Sequence, residues 1–359
     1  MATSNKKTII KPHVQENLQK LSNALRDNLA FEPYINQFIN DLQELPPSSI
    51  KQASREIRAS AQLHFNWDKH KVPWAVRLAN GFSGPATVSV LTRPYLSLLS
   101  QHPKLCFLFL FHSDGYYREA ALKHWNETDI CPFVFSALSQ CLNDWVEQVR
   151  HAAYNCARHI FPLVPAKTVS ISAFDLHQRF NKFQRWSTQE RKILEQTLFR
   201  EDVIVAFVSR LMQPHVGKAS KVFRNSLMQA GIDKHLHQIA QDAENPFLRA
   251  IAYETLLSKQ ARWKVGHAYQ WIDKVYGLKK RIAVFKFRNI DHDLSIDALL
   301  IQGSTDRSIV VKKVIASQLI KMRNEASATM RKISHELAKD KSESVRKKAH
   351  FFLDNSKIN

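Results

Sequence analysis

Apolar residues recur along this chain at steps of three and four residues, which is the period of an amphipathic α-helix. The pattern begins near His13 and continues through Val14, Leu18, Leu21 and Leu25. It returns in most later segments of the chain. The sequence therefore predicts a succession of helices that each bury one apolar stripe.

Prolines separate the predicted helices. A second helix is expected after Pro33, and Pro46-Pro47 interrupt the chain before a third helix over residues 50–65. Glycine is scarce, with 8 in 359 residues. Because strands joined by tight turns usually need glycine, we predict an all-α protein. We expect four glycines to lie at helix C-termini: Gly231, Gly266, Gly277 and Gly303.

These breaks divide the chain into five predicted parts. Residues 1–12 are expected to be a flexible basic tail, and residues 13–100 a helical N-terminal cap or a set of diverged repeats. Residues 101–354 are predicted to form a regular array of helix pairs, irregular over 162–200, and residues 355–359 a polar tail. Within the irregular part, Ser187 or Thr188 is the expected N-cap of a helix, with Glu190 completing the cap.

A short phrase returns along the second part of the chain. It reads Asp-Trp-Val-Glu-Gln-Val-Arg-His-Ala-Ala over residues 144–153 and Asp-Lys-Ser-Glu-Ser-Val-Arg-Lys-Lys-Ala over residues 340–349. Three looser copies also occur. The basic residues of the five copies lie at positions 118, 150, 249, 312 and 346, with gaps of 32, 99, 63 and 34 residues. These gaps are close to one, three, two and one steps of about 32 residues, a period typical of stacked repeats.

The phrase Asp-x4-Val-Arg-x2-Ala resembles that of the HEAT-repeat family. The resemblance implies a right-handed α-solenoid of stacked antiparallel helix pairs, in which each pair buries its apolar stripe against the next. In that family the acid and the basic residue bridge neighbouring repeats. Carried over by position, Asp144 with Arg150 and Asp340 with Arg346 are the candidates for this bridging between repeats.

Charge limits the set of partners. The chain carries 52 Lys and Arg against 32 Asp and Glu, a net charge of +20. Such a field attracts nucleic acid or an acidic protein. No apolar run approaches the roughly 20 residues of a membrane helix, so we expect no membrane insertion. The polar start of the chain lacks a secretory signal, and we expect a cytoplasmic protein whose four cysteines are buried free thiols.

The basic residues suggest a nucleic-acid surface on the inner, concave side of the predicted array. One block, near residues 279–288, alternates Phe285 and Phe287 with basic residues, which suits base stacking beside phosphate contacts. Other basic residues follow the repeat phrase or cluster in the last two pairs. The candidate nucleic-acid-binding residues are Arg150, Arg249, Lys279, Lys280, Arg281, Lys286, Arg288, Lys312, Lys313, Arg346, Lys347 and Lys348.

One segment suggests catalysis instead. Trp125 precedes Asp129 by four residues, and this pairing is similar to the catalytic segment of the HEAT-like alkylpurine DNA glycosylases. The resemblance implies that Asp129 stabilises positive charge on the sugar and that Trp125 supports the nucleotide. A helix cap is the simpler role for Asp129.

No metal, cofactor or phosphate-loop motif is found, and the 16 histidines lack partners at ligand spacing. Three functions remain. The first is a non-catalytic scaffold that binds DNA or RNA through a basic concave groove. The second is a scaffold for an acidic protein, and the third is a glycosylase that acts on alkylated bases.

Overall fold

A computed structural model describes residues 8–63, 94–214 and 218–356. This part of the chain is predominantly helical and contains one two-stranded antiparallel sheet. It divides into two compact units, one formed by residues 1–176 with 182–200 and the other by residues 177–181 with 201–359.

The described residues of the first unit form helices joined by turns and loops, with no strand among them. Its helices are α1 (Pro12–Asp27), α2 (Glu32–Leu42), α3 (Ile50–Ser60), α4 (Leu98–Gln101), α5 (Cys106–Phe109), α6 (Gly115–Lys123), α7 (Pro132–Cys141), α8 (Glu147–Ile160), α9 (Ala166–Arg179) and α10 (Thr188–Leu198). The last residues of α9 belong to the second unit. Part of the predicted N-terminal cap, residues 64–93, lies outside the described residues.

Helix α8 is central to the first unit, because α6, α7 and α10 all pack against it. Its buried stripe includes Val149, Ala153 and Cys156, so the apolar positions of the phrase point into the core. The predicted cap of α10 is confirmed. Ser187 is the N-cap, its hydroxyl accepts a hydrogen bond from the Gln189 amide, and Glu190 accepts one from the Ser187 amide.

The end of the expected N-terminal tail is anchored. The backbone amides of Ile9 and Ile10 donate to one Glu56 carboxylate oxygen at 2.8 and 2.9 Å. Ile10 is also buried. The tail prediction missed this contact because two apolar residues before Pro12 are too few to show a helical period.

The second unit contains eight helices in its described residues and the sheet. The helices are α11 (Glu201–Met212), α12 (Ala219–Ser226), α13 (Leu236–Asp242), α14 (Pro246–Leu257), α15 (Ile296–Ser304), α16 (Ile309–Lys321), α17 (Ala328–Leu337) and α18 (Glu343–Asn355). Helices α14, α16 and α18 pack side by side in that order, and α15 packs against α17. Gly303 permits the close approach of α15 to α16, since a Cβ there would lie 2.3 Å from the Ile315 Cδ1 atom.

The all-α prediction was incomplete, because residues 260–289 form a β-hairpin between α14 and α15. Strand β1 (Gln260–Asp273) pairs antiparallel with β2 (Leu278–Asn289). Gly277 closes the turn with φ of 65°, a conformation that favours glycine. Gly266 lies within β1, so the prediction that Gly266 and Gly277 end helices was wrong.

The hairpin is anchored at one end. Strand β1 packs against α12 and α14, and Ala261 and Ile290 are buried at its base. The Ile290 amide donates to the Lys259 carbonyl at 2.9 Å, which brings the two ends of the insertion together. At about 3.3 Å per residue, β1 is roughly 45 Å long, and most of its outer half is exposed. We call residues 260–289 the hairpin arm.

The phrase forms the same turn in each of its five copies. The side-chain oxygen of its first residue accepts a hydrogen bond from the amide two residues later, at 2.7 to 3.0 Å. These first residues are Asp114, Asp144, Asn245, Asp306 and Asp340. Each therefore satisfies an amide at the start of its helix that no helical carbonyl can reach.

No helix in the described part of the chain is both long and apolar enough to cross a membrane.

Candidate nucleic-acid interface

The basic residues of the repeat phrase are engaged inside the fold. Arg249 donates from Nε and Nη2 to the two carboxylate oxygens of Asp306 at 2.8 and 2.9 Å. Arg118 makes the same bidentate pair with Asp144. Arg249 is only 3% exposed, so its guanidinium does not lie on the protein surface.

Of the four bridging candidates, the two aspartates pair with a preceding copy of the phrase and the two arginines contact backbone carbonyls. Asp144 pairs with Arg118 of the preceding copy, and Asp340 pairs with Lys312, again from the preceding copy, at 2.8 Å. Arg150 instead donates to the backbone carbonyl of Asp144, and Arg346 to that of Asp340, at 3.0 and 2.9 Å. These arginines therefore contact the turn of their own phrase. The carboxylate of each of these two phrases pairs instead with the basic residue of the preceding copy.

The remaining candidates in the last two helix pairs are also partly engaged. Lys347 is exposed and lies 2.7 Å from Glu343 one helical turn away. Lys348 donates to the hydroxyl of Ser317 and approaches the Lys313 carbonyl. Lys313 is itself half-buried.

The two glycosylase candidates differ in exposure, since Trp125 is buried and Asp129 is exposed. Trp125 is 7% exposed, its ring contacts that of Phe107 with centroids 4.7 Å apart, and its indole N–H donates to the Glu127 carbonyl. It is therefore a core residue rather than a platform. Asp129 is exposed in the loop before α7, whose N-cap residue is Cys131.

Arg288 anchors the hairpin arm rather than facing solvent. Its guanidinium forms a bidentate pair with Asp233 at 2.6 and 2.7 Å. It also donates to the carbonyls of Leu227 and Gln229. Arg288 therefore joins the base of the hairpin to the segment between α12 and α13. The candidates for nucleic-acid binding on the hairpin that remain exposed are Lys279, Lys280, Arg281 and Lys286.

The other hairpin candidates lie on an arm of concentrated charge. Residues 260–289 contain eight Lys or Arg and one Asp, which gives +7 of the net +20 of the chain. The same 30 residues hold six aromatic side chains. Lys279, Lys280, Arg281 and Lys286 are all exposed.

The register of the two strands sorts these residues onto faces, because directly paired residues project to the same side of a sheet. One side carries five successive pairs, which we call the aromatic–basic face: Arg262 with Phe287, Lys264 with Phe285, His267 with Ala283, Tyr269 with Arg281, and Trp271 with Lys279. Four of these five pairs join one cation to one aromatic ring. Lys280 and Lys286 lie on the opposite side.

Two rings of the aromatic–basic face are covered by cations and two are open. Lys279 Nζ lies 3.9 Å from the Trp271 ring centroid, and Arg262 Cζ lies 3.9 Å from that of Phe285. These are cation–π distances. Tyr269 and Phe287 are 70% and 65% exposed. Each therefore offers a free ring surface beside a positive charge.

Three basic side chains meet at the middle of this face. His267 Nε2 lies 2.7 Å from Lys264 Nζ, and His267 Nδ1 lies 2.9 Å from Arg281 Nη2. A bulge between Lys264 and Gly266 inserts one residue into β1. Lys264 and His267, three residues apart, consequently share a face that regular alternation would deny them. We call Lys264, His267 and Arg281 the basic triad.

The pKa of His267 is lowered, first by partial desolvation and then by the positive charges of Arg281 and Lys264. The neutral form of the ring is favoured because both of its charged neighbours are cations. An anion at this position is expected to favour the protonated ring instead.

Sequence reasoning found only one strand of this face. The alternation of Phe285 and Phe287 with basic residues was recognised, but Arg262, Lys264, Tyr269 and Trp271 were missed. The signal was present, since period-two alternation on both sides of the turn at 274–277 is typical of a hairpin.

Elsewhere in the described residues, no three His, Cys, Asp or Glu side chains lie together as metal ligands. The four cysteines are free thiols. Comparisons of this chain with protein-family models, with curated proteins and with solved structures found no match.

Proposed function

We propose that this protein is a non-catalytic nucleic-acid-binding protein and that the aromatic–basic face of the hairpin arm is its main interface. The observation that carries the proposal is the pairing of a cation with an aromatic ring in four of the five pairs on that face. Cations contact phosphates and aromatic rings stack on bases, so a face that carries both residue types suits binding of a nucleic acid.

An acidic protein partner is the second candidate, and it explains the charge alone. Carboxylates need Lys and Arg, but they do not need exposed rings such as Tyr269 and Phe287 at the same positions. A nucleic acid accounts for the positive charge through its phosphates and for the exposed rings through its bases. The face therefore favours nucleic acid.

We also propose that the helix pairs form a right-handed α-solenoid of HEAT-like repeats. Support comes from the pairs that join successive phrases: Arg118 with Asp144, Arg249 with Asp306, and Lys312 with Asp340. A concave groove is a less suitable interface than the hairpin arm, because Arg249 is buried and Arg150 and Arg346 hold backbone carbonyls.

The test is fluorescence anisotropy with labelled DNA and RNA, titrated with salt, on nuclease-treated protein. We expect tight binding at roughly 50 mM salt with a slope of log K against log salt of about −2 to −3, which corresponds to three or four phosphate contacts. The double change Lys279→Glu and Arg281→Glu should weaken binding at least about tenfold, since charge-assisted phosphate contacts are the strong ones.

The matched control is Lys51→Glu with Lys192→Glu, which alters net charge equally at two exposed residues of the first unit. Equal loss in both double variants would show a general charge effect and contradict the proposed interface. Absence of binding to every nucleic acid at low salt would leave the acidic-protein partner as the better account.

A further inference from the structure

The spacing of the aromatic–basic face distinguishes between forms of nucleic acid. Successive pairs on one face are two residues apart along each strand, which is about 6.7 Å. Nucleotides of one strand in a B-form duplex rise only about 3.4 Å each. A stacked duplex also hides the faces of its bases. The rings of this face therefore do not match the repeat of a duplex.

The open rings lie on either side of the basic triad. Tyr269 pairs with Arg281 toward the turn, and Phe287 pairs with Arg262 toward the base of the arm. Arg281 and Phe287 are six residues apart on β2, or about 20 Å. A phosphate on the triad would thus have a free ring surface before it and another after it along the face.

The triad gives a phosphate three donors at one place. The Lys264 ammonium and the Arg281 guanidinium lie 2.7 and 2.9 Å from the two ring nitrogens of His267, so all three basic groups are neighbours on the face. Like charges brought this close at an exposed position are stabilised by a shared anion.

We infer that the aromatic–basic face binds an unpaired nucleic-acid strand, with a backbone phosphate on Lys264, His267 and Arg281 and with bases stacked on Tyr269 and Phe287. This inference rests on the proposed function and names its ligand. An extended strand can place its bases farther apart than a duplex does, and unpaired bases expose both faces to stacking.

Anisotropy titrations of the full-length protein test the inference with four probes of one mixed sequence of about 12 nucleotides, a length within the range of known single-strand sites. The probes are single-stranded DNA, single-stranded RNA, duplex DNA and an abasic single strand that has phosphates but no bases. We expect the single strands to bind at least about tenfold more tightly than the duplex or the abasic strand.

The variant Tyr269→Ala should weaken single-strand binding about tenfold while leaving the abasic probe unchanged. Its matched control is Tyr276→Ala, which removes another exposed tyrosine of the same arm, located in the turn and outside the five pairs of the aromatic–basic face. The control should bind all four probes as the wild type does.

If the duplex binds as tightly as the single strands, or if Tyr269→Ala and Tyr276→Ala behave alike, the inference is overturned and the proposed function stands. If none of the four probes binds at low salt, both fail. A preference between the DNA and RNA single strands identifies the sugar without altering the inference.

Discussion

Arg249 and Asp306 form a buried bidentate ion pair across 57 residues of sequence. The same arginine donates from Nη1 to the carbonyls of Ala243 and Glu244. One side chain therefore holds the turn before its own helix and the first residue of the next phrase. The hairpin arm lies between these two residues in sequence, so the ion pair joins the segments that flank the arm.

We predict that Arg249→Ala destabilises the second unit by about 3 kcal/mol, because it leaves the Asp306 carboxylate buried without its charged partner. The measurement is denaturant unfolding followed by a signal from that unit. Lys347→Ala is the matched control. It breaks an exposed pair with Glu343 and should cost less than about 0.5 kcal/mol.

A loss for Arg249→Ala no larger than that of the control would contradict the role of the ion pair in joining the repeats.

The phrase could be recognised from sequence, but its partners could not. Residue types and spacing favour a local turn at Asp144 and Asp340, since an acid just before a helix accepts amide hydrogen bonds from residues close in sequence. Whether Asp144 faces Arg150 or Arg118 depends on how one helix pair stacks on the next. That arrangement is tertiary, and the phrase alone contains no information on it.

The hairpin arm was missed for two physical reasons. A scarcity of glycine argues against many tight turns, but one long hairpin needs a single residue with positive φ, here Gly277. The gap of 63 residues between Arg249 and Lys312 was also interpreted as two repeat steps. The structure shows one step and an insertion of 30 residues, 260–289.

We predict that acid destabilises the protein through two buried histidines. Burial lowers the pKa of His112 to about 3 and that of His177 to about 4. Below a pH of about 6.5 the unfolded chain takes up protons at these positions that the folded chain does not, so stability falls as pH falls. Each histidine should cost about 2 kcal/mol at pH 5, and the loss should level off below the folded-state pKa.

Denaturant unfolding at a series of pH values measures this loss. His177→Leu should flatten the pH dependence of the second unit while the dependence due to His112 in the first unit remains. An unchanged slope in the variant would show that His177 is not buried in its neutral form.

We predict that binding of a single strand tightens as pH falls from about 8 to about 6. The charged groups that face His267 are Lys264 on β1 and Arg281 on β2. A bound phosphate offsets their effect and raises the pKa of His267, so a proton is taken up on binding. The expected gain in affinity is about threefold. Anisotropy titrations at constant salt should show this gain in the wild type and no gain in His267→Ala.

A pH dependence that survives in His267→Ala would assign it to another of the histidines and exclude His267 from the phosphate contact.

We predict that the native thiols are unreactive. Cys106, Cys141 and Cys156 are buried, and burial raises the pKa of both Cys106 and Cys156 to about 12. Since the thiolate is the reactive form, a chromogenic disulfide reagent at about pH 8 should detect these three thiols only after unfolding. Cys131 is half-buried, with its pKa also raised by burial, and should react slowly. Fast labelling of Cys141 in the native protein would contradict its buried position.

We propose that the hairpin arm binds nucleic acid and that the helix pairs hold the arm in place. The most direct test replaces residues 262–287 with Asn-Gly, a two-residue turn that suits the direct pair of Ala261 and Arg288. The anchor of Arg288 to Asp233 and the pair of Arg249 with Asp306 are retained. We predict that this variant keeps its helical content and unfolding transitions while its affinity for single-stranded nucleic acid falls at least about 100-fold. A folded variant that binds as tightly as the wild type would show that the hairpin arm is not the nucleic-acid interface.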